Sequence, residues 1–348
     1  MKIYKLTCLT FVFAACVLQS CNTNDDELFD KPASQRMDAY LSHAKEVLSS
    51  SENGWVFDYY PHKERQIGGC TYVVKFKDDK VDAQIEFVPG KVLKSTYAMV
   101  VGNGPILSFD TYNKFLHLFA TPNAKLYEGY NGDFEFVIDS IGQDVIKVHG
   151  NRCMNVMYLR RLKEKASDYL QKVSTISSNF LLSSTEGTIG NKSAELDFDT
   201  NLRQVSFTVD GKPVASSAYN FTDKGIRLYM PIVVNGVTIN ELSYDAKNMT
   251  LKAPQVVLDK YLLDPNYIRN MISEDKVISA PTEGLKRTIP NVSGLEQFKI
   301  TTDSEDWIKI TTEGNNLTLE ITKCTHFRIG TITISNGKQK VSLKIAQM

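Results

Sequence analysis

Four aromatic residues are the side chains of this chain best suited to bind a ligand. Trp55, Tyr59 and Tyr60 lie close together, and Tyr112 follows further along. Aromatic rings offer flat apolar faces on which a sugar or a peptide can stack. In a chain of this composition such rings more often belong to the core. The sequence therefore predicts either a stacking platform for a glycan or peptide ligand or a set of core rings.

Histidines and acidic residues show no spacing typical of a catalytic or metal site. The histidines are His43, His62, His117, His149 and His326, and none has a second histidine or a cysteine at metal-ligand spacing. HExxH and GxSxG motifs are absent from the sequence. We therefore predict no catalytic residue, no metal and no cofactor. Acidic residues that only folding brings together would leave no such pattern, so a hydrolase stays an alternative.

One oxygen-rich segment invites a calcium interpretation. Glu128, Asn131, Asp133 and Glu135 alternate with other residues, but the order lacks the DxDxDG pattern of a calcium loop. Asn131-Gly132 is a dipeptide that favours a tight turn. We expect a polar hairpin at this segment.

The first twenty residues predict secretion. Lys2 and Lys5 precede an apolar run from Leu6 to Leu18, which is too short to span a bilayer. Leu18-Gln19-Ser20-Cys21 then resembles the lipobox of bacterial lipoproteins, in which the cysteine is lipidated. We expect a signal peptide over 1–20 and lipidation at Cys21, and we expect the protein to be attached to a membrane through that lipid. A plain signal peptide followed by cysteine is the alternative.

The acidic segment after Cys21 bears on location. Residues 21–30 include Asp25, Asp26 and Glu27. They resemble the export signal that directs Bacteroidetes-type lipoproteins to the outer face of the outer membrane. A solvated tether is the alternative. We expect an outer-membrane protein exposed at the cell surface.

Composition limits the function classes. The chain has 348 residues, enough for two to three domains, and 40 Lys+Arg balance 40 Asp+Glu. This balance excludes the strongly basic signature of a nucleic-acid binder. Cys70, Cys153 and Cys324 are too widely spaced for a disulfide framework or a CxxC pair. We expect buried free thiols, with a Cys70–Cys153 bridge as the alternative.

The hydrophobic pattern predicts a mainly β fold with a minor α component. Helices are expected over 31–52, where Met37, Tyr40, Leu41, Ala44, Val47 and Leu48 share one face, and over 163–177. Between and after them, apolar residues alternate with polar ones in short runs separated by turn residues, including one run at 105–120. We predict an antiparallel β-sheet body over 31–262.

The body shows signs of an internal duplication. Phe76 and Tyr97 are spaced like Phe198 and Tyr219, and Ile85 matches Phe207 at the same offset. Each stretch also opens with an amphipathic helix. We expect two related units, 31–160 and 163–262, each a helix followed by a sheet.

A different pattern follows the body. Asp264-Pro265, Ala280-Pro281 and Ile289-Pro290 interrupt the apolar residues, which predicts a linker over 263–293. Residues 294–348 alternate strictly, and Asn336-Gly337 predicts a tight hairpin. We expect a small immunoglobulin-like β-sandwich there.

Two resemblances accompany these patterns. Gly54-Trp55, Tyr59-Tyr60-Pro61, Gly68-Gly69, Gly104-Pro105 to Asn113 and Gly132 to Phe136, in this order, resemble domain-of-unknown-function family 4302 over roughly 30–260. This resemblance implies a surface lipoprotein, encoded among nutrient-uptake genes, and implies no catalytic residue. Asp306-Trp307-Ile308, Asn316 to Leu319, Arg328, Thr331 to Ile334 and Ile345-Ala346-Gln347 are similar to BACON-type modules, although Lys323-Cys324 departs from their pattern.

Three function classes remain. We expect a non-enzymatic binding or accessory lipoprotein of an outer-membrane nutrient-uptake system, with a transporter complex as partner. A surface hydrolase of glycans or peptides is the first alternative. A structural or adhesive surface protein is the second.

Overall fold

The structure is a computed structural model that describes residues 31–348. The predicted signal peptide, the predicted acidic tether and Cys21 lie outside the described residues. The chain divides into two compact units, Met1–Lys45 and Glu46–Met348. Within residues 31–348, no helix has both the length and the apolar character needed to cross a membrane.

Helix α1, Ala33–Ser49, follows the predicted apolar face. All residues of α1 outside the six predicted positions are exposed, whereas Ala44, Val47 and Leu48 are buried. Asn53-Gly54 follows the helix, and Gly54 adopts a positive φ of 87°. A side chain there would clash with the Val74 carbonyl, so glycine is required at this turn.

The first predicted repeat unit of the β body, 31–160, contains an open antiparallel sheet. Its strands are β1 Trp55–Tyr59, β2 Cys70–Lys77, β3 Lys80–Ile85, β4 Leu93–Thr96, β5 Ala98–Gly102, β6 Gly104–Ser108, β7 Glu135–Ile141, β8 Val145–Gly150 and β9 Val156–Arg161. The strand order is β4-β3-β2-β1-β9-β8-β7-β6-β5. Tyr97 alone joins the two outer strands, β4 and β5, so the sheet curls until its edges are close.

The concave side of this sheet is packed with aromatic rings. Phe57 meets Phe136 at 5.1 Å between ring centroids and Tyr59 at 5.7 Å, both edge to face. Because successive residues of a strand point to opposite faces, Asp58 points away from this core. The second face of β1, which carries Val56 and Asp58, is buried as well.

The second predicted repeat unit, 163–262, contains a closed barrel. Helix α2, Ala166–Asn179, precedes eight strands: β10 Leu182–Ile189, β11 Lys192–Asp199, β12 Gln204–Val209, β13 Lys212–Phe221, β14 Gly225–Val234, β15 Val237–Asp245, β16 Thr250–Ala253 and β17 Val256–Leu263. β10 pairs with β17 and closes the ring. An eight-stranded barrel is just wide enough for side chains to fill it, and Leu196, Phe207 and Tyr219 do so.

The two predicted repeat units are both antiparallel meanders, one a nine-stranded open sheet and the other an eight-stranded closed barrel. In each, the first strand pairs with both the second and the last strand of an antiparallel meander. The offset that relates Phe76 to Phe198 places β2 on β11 residue for residue, Cys70–Lys77 on Lys192–Asp199. The duplication stays a prediction, which this correspondence supports.

A third set of elements forms the C-terminal module. It contains α3 Pro265–Ile272, β18 Val277–Ala280, β19 Leu285–Ile289, a short 3-10 turn at Leu295–Gln297, β20 Lys299–Thr302, β21 Ile308–Glu313, β22 Asn316–Ile321, β23 Arg328–Ser335 and β24 Lys340–Gln347. The sheets β18-β24-β23-β20 and β19-β22-β21 share one core, to which Leu319 and Ile332 belong. Asn336-Gly337 lies between β23 and β24, as the hairpin signal predicts.

The expected linker at 263–293 requires a correction. Asp264 caps α3, and its carboxylate accepts a hydrogen bond from Asn266 N. β18 pairs in parallel with β24, and β19 pairs with β22, so both strands belong to the sandwich. The prolines that suggested a linker lie at the ends of these elements, where a missing N–H costs little. The structured module therefore begins at Pro265, not at 294.

Two further expectations differ from the structure. The strand expected over 105–120 ends at Ser108, and turns follow. Strands β10, β13 and β17 lie outside the predicted alternating runs. At β10, Ser183, Ser184 and Thr185 break the apolar alternation although all three are buried. The expectation of free, buried thiols at Cys70, Cys153 and Cys324 is confirmed.

Candidate functional site

The four sequence-predicted binding residues do not form one platform. Trp55 is buried and donates its indole N–H to Leu48 O at 2.8 Å. Tyr59 is buried in the aromatic core, and Tyr60 is buried at the contact with the barrel, where its ring meets Tyr229 at 4.9 Å. Tyr112 alone is exposed, at 64 %. The alternative of core rings therefore holds for Trp55, Tyr59 and Tyr60, and a platform shared by all four residues does not form.

Tyr112 belongs instead to a different group of rings. The Tyr112 ring lies 5.3 Å from His117, and the His117 ring stacks on Phe134 at 5.0 Å with 25° between the planes. Phe134 is 40 % exposed. We call these three residues the aromatic surface. They form a row of adjoining rings, in which Tyr112 and Phe134 are open to solvent and His117 is half-buried between them.

The connection between β6 and β7, residues 109–134, carries the aromatic surface. Asn113 is buried at its start, and its Oδ1 accepts hydrogen bonds from Phe115 N at 3.0 Å and Leu116 N at 3.4 Å. Tyr72 on β2 donates its hydroxyl to Phe115 O at 3.0 Å. These bonds hold the connection on the sheet, so the exposed rings are positioned in advance of any ligand.

His117 contributes a ring and not a charge. Its Nδ1 lies 3.2 Å from both the backbone N and the backbone O of Asn113. Partial burial between Tyr112 and Phe134 lowers the pKa of His117 below its usual 6.5. At neutral pH the imidazole is therefore uncharged, and it continues the apolar row.

A polar pocket of about 180 Å³ adjoins Phe134. Glu135, Asn151 and Arg152 line it, together with Asp133. Asn151 donates its Nδ2 to Glu135 Oε2 at 3.0 Å. Its side-chain oxygen, Oδ1, accepts no hydrogen bond within residues 31–348. Carboxylate, amide and guanidinium groups thus stand beside an exposed ring, the combination that fixes a small polar ligand.

The floor of the pocket is rigid. Asp133 is buried and accepts backbone hydrogen bonds from Arg152 N at 2.6 Å and Cys153 N at 3.1 Å. Burial raises the pKa of Asp133, and these two bonds oppose the rise. Tyr59 donates to Asp133 O from below at 3.0 Å. A side chain at Gly132 would collide with Tyr59 and Phe119, so only glycine fits there.

Chemistry outside this site is limited. His149 Nδ1 lies 2.7 Å from Asp139, an arrangement that orients an imidazole. Across residues 31–348, no serine, threonine or cysteine hydrogen bonds to the other ring nitrogen. The pair lacks the nucleophile of a triad. The described residues also hold no group of three or more metal-binding side chains.

Sequence reasoning found Tyr112 but missed its partners. Spacing gives His117 no catalytic or metal partner, and nothing in the sequence sets Phe134 apart from other apolar residues. The oxygen-rich segment ending at Glu135 was the available signal, since it does place polar side chains at the pocket. Asn151 and Arg152 carried no signal, because only the pairing of β7 with β8 brings them there.

Comparisons with known proteins identify the family of most of the chain. The family model of the domain of unknown function DUF4302 matches residues 25–246. No curated protein matches the chain.

Solved structures give only distant likenesses. The S-layer protein rSbsC(31-844) is 9 % identical, with a TM-score of 0.16, and the match covers 86 % of this chain and 51 % of that one. The chain thus spans about half the length of that S-layer protein. The DNA polymerase III beta chain of Streptococcus pneumoniae TIGR4 is 9 % identical, with a TM-score of 0.13 and coverage of 88 % and 96 %. At these TM-scores neither likeness carries an argument.

Proposed function

The chain belongs to the family of the domain of unknown function DUF4302, and on this premise we propose that it is a lipid-anchored surface protein that binds a glycan. The aromatic surface and its adjoining pocket are the binding site in this proposal. The protein acts as a binding or accessory component of an outer-membrane nutrient-uptake system, beside a transporter.

The exposed row of rings carries the proposal. A sugar ring presents C–H groups on its faces and hydroxyl groups at its edge. Tyr112 and Phe134 offer faces for the first, while Glu135 and Asn151 offer acceptors and donors for the second. We favour a glycan over a peptide because the pocket combines planar polar groups with an exposed ring. The described residues that line it do not form a deep apolar cavity for a peptide side chain.

A glycan array with the full mature chain tests this proposal, with a peptide array beside it. The expected result is binding of a defined glycan class that Tyr112→Ala and Phe134→Ala each weaken. Loss of one stacking partner costs about 0.5–1.5 kcal/mol, or roughly two- to tenfold in Kd. The matched control is Phe327→Ala, since Phe327 is 59 % exposed on the C-terminal module.

Either of two results contradicts the glycan proposal. One is binding on the peptide array alone. The other is glycan binding that the Phe327 variant weakens as much as the Tyr112 variant does. Silence on both arrays would favour the structural or adhesive alternative.

A hydrolase is the second candidate, because two carboxyl groups line the same pocket. The pKa of Asp133 is raised by burial, and Glu135 is the second acid. A buried carboxyl group beside a second acid can serve as a general acid. Asp133 accepts two backbone hydrogen bonds, however, and these favour its ionised form. Turnover of any array ligand that Glu135→Gln abolishes would establish the hydrolase.

The anchor is proposed from the sequence and has its own test. Cys21→Ala removes the thiol that would carry the lipid, so the protein should leave the membrane fraction and become soluble. Cell fractionation and detergent partitioning measure this. Cys324→Ala, which removes a buried thiol, is the matched control and should stay with the membrane. A Cys21 variant still found in the membrane fraction would contradict the proposal.

A further inference from the structure

A second cleft lies between the two β units, away from the aromatic surface. Its volume is about 210 Å³. Tyr158 and Arg160 of β9 line one side, and Arg227 and Asn240 of the barrel line the other. Asp58 lies at its base, on the outward face of β1.

Asp58 binds the two arginines of this cleft, Arg160 and Arg227. Its side chain is 4 % exposed and accepts hydrogen bonds from Arg227 Nη1 at 3.0 and 2.8 Å and from Arg160 Nε at 3.1 Å. Arg227 also donates its Nε to Glu241 at 2.6 Å. Arg227 is therefore shared by two carboxylates, and its charge is neutralised within the protein.

Arg160 differs from Arg227 in one respect. Only its Nε is bonded to Asp58, and within residues 31–348 its two η nitrogens make no hydrogen bond. Its side chain is 32 % exposed, and the guanidinium lies 4.9 Å from the centre of the Tyr158 ring. Arg160 is thus fixed at one edge by a buried carboxylate and on one face by a ring, while its outer edge stays open.

An oriented guanidinium edge of this kind matches a carboxylate. Its paired N–H groups bind the two oxygens of a carboxylate in parallel, and fixing the side chain beforehand lowers the entropy cost of binding. Asn240 and the Tyr158 hydroxyl add neutral hydrogen-bonding groups. A phosphate dianion is disfavoured, because Arg160 is the one open cation among the described residues that line the cleft, and Glu241 adds negative charge beside Arg227.

We propose that the cleft between the sheet and the barrel binds a small carboxylate-bearing ligand, with the carboxylate on the η nitrogens of Arg160. The volume suits a single small molecule, such as a sugar acid or an amino acid, and is below that of drug-sized pockets. This site is independent of the glycan proposal, since none of its residues lines the aromatic surface.

Calorimetric titration of the full chain tests the proposal with four probes. D-glucuronate and L-glutamine represent the two sources of a carboxylate. D-glucose is the neutral counterpart of the first, and inorganic phosphate represents the other anion. We expect one or both carboxylates to bind at least about tenfold more tightly than glucose and phosphate, the scale of a hydrogen bond to a charged group.

Two variants and one control locate the carboxylate. Arg160→Gln should lower carboxylate affinity at least about tenfold. Arg160→Lys keeps the charge but loses the paired N–H groups, so it should also weaken binding. Arg287→Gln, an exposed arginine on β19 of the C-terminal module, should leave the affinity unchanged. If Arg160→Gln fails to fold, Arg160→Lys decides.

Three results would overturn the proposal: equal affinity for glucuronate and glucose without binding of glutamine, tighter binding of phosphate than of either carboxylate, or full carboxylate affinity in a folded Arg160 variant. Loss of array binding in the Tyr112 variant leaves this test unaffected, so the two proposals fail separately.

Discussion

At the scale of single residues, the aromatic side chains separate into two roles by burial. Phe57 and Tyr59 fill the concave side of the first sheet, whereas Tyr112 and Phe134 face solvent. His117 joins the second group because neighbouring rings exclude water from its imidazole. The exposed row is apolar only while that imidazole is uncharged.

The protonation of His117 gives a prediction about pH. Its pKa in the folded chain is lowered from 6.5, so the folded state favours the neutral form. This contribution to stability is fully present above pH 6.5 and is lost as the pH falls through the lowered pKa. An NMR titration of the His117 ring should have its midpoint below 6.5, and unfolding should raise it. A midpoint at or above 6.5 in the folded chain would contradict the burial argument.

At the scale of elements, a buried ion pair ties the sheet to the barrel. Glu86, just after β3, accepts from Arg203 Nη1 at 2.7 Å and from Thr71 N at 2.9 Å. Arg203, between β11 and β12, also donates to Gly69 O at 2.6 Å. The Glu86 side chain is 1 % exposed and that of Arg203 is 11 % exposed. Such a pair is costly to break because the remaining charge stays buried.

Removing one member of this pair gives the second prediction. Arg203→Met should lower the free energy of unfolding by about 3–5 kcal/mol, since Glu86 is left without its cation. The double variant Glu86→Gln/Arg203→Met should be less destabilised, because no unpaired charge remains. Urea unfolding measures both.

A matched control separates burial from charge. Lys192 and Asp210 form an ion pair at 2.7 Å with side chains 47 % and 46 % exposed. Solvent screens such a pair, so Lys192→Met should cost at most about 1 kcal/mol. Equal losses for Arg203→Met and Lys192→Met would show that the buried pair has no special role.

At the scale of the whole molecule, the C-terminal module is docked and not merely tethered. Asn336 is 7 % exposed, and its Nδ2 donates to Ser183 Oγ and Leu263 O, both at 2.7 Å. Gln297 Oε1 accepts from Leu263 N at 2.9 Å. The tip of the β23–β24 hairpin thus lies against the end of the barrel.

The boundary of this module is the third prediction. A fragment 265–348 should fold alone, because it contains both complete sheets. A fragment 294–348 should stay unfolded, because it lacks β18 and β19, which pair with β24 and β22. Dispersion of amide NMR signals distinguishes the two. A folded 294–348 fragment would support the boundary at 294 that the sequence pattern predicts. If neither fragment folds, the module needs the barrel in order to fold.

Much of the local structure follows from the sequence alone. The spacing of apolar residues determines the buried face of α1, and alternation locates most strands of the body. Asn336-Gly337 specifies its hairpin, because both residues tolerate the backbone angles that a tight turn requires. These are local properties, and they need no knowledge of what packs on the exposed or buried face.

Only the tertiary structure decides which aromatic residues are open to solvent. Alternation shows that one face of β1 is buried, but it does not show that the barrel also covers the other face and encloses Tyr60. Likewise, Asn151 and Arg152 reach the pocket only through the β7–β8 pairing, and Arg160 meets Asp58 and Arg227 only where the sheet contacts the barrel. The physical reason is that a strand reports its own periodicity, whereas a site forms from side chains that distant strands bring together.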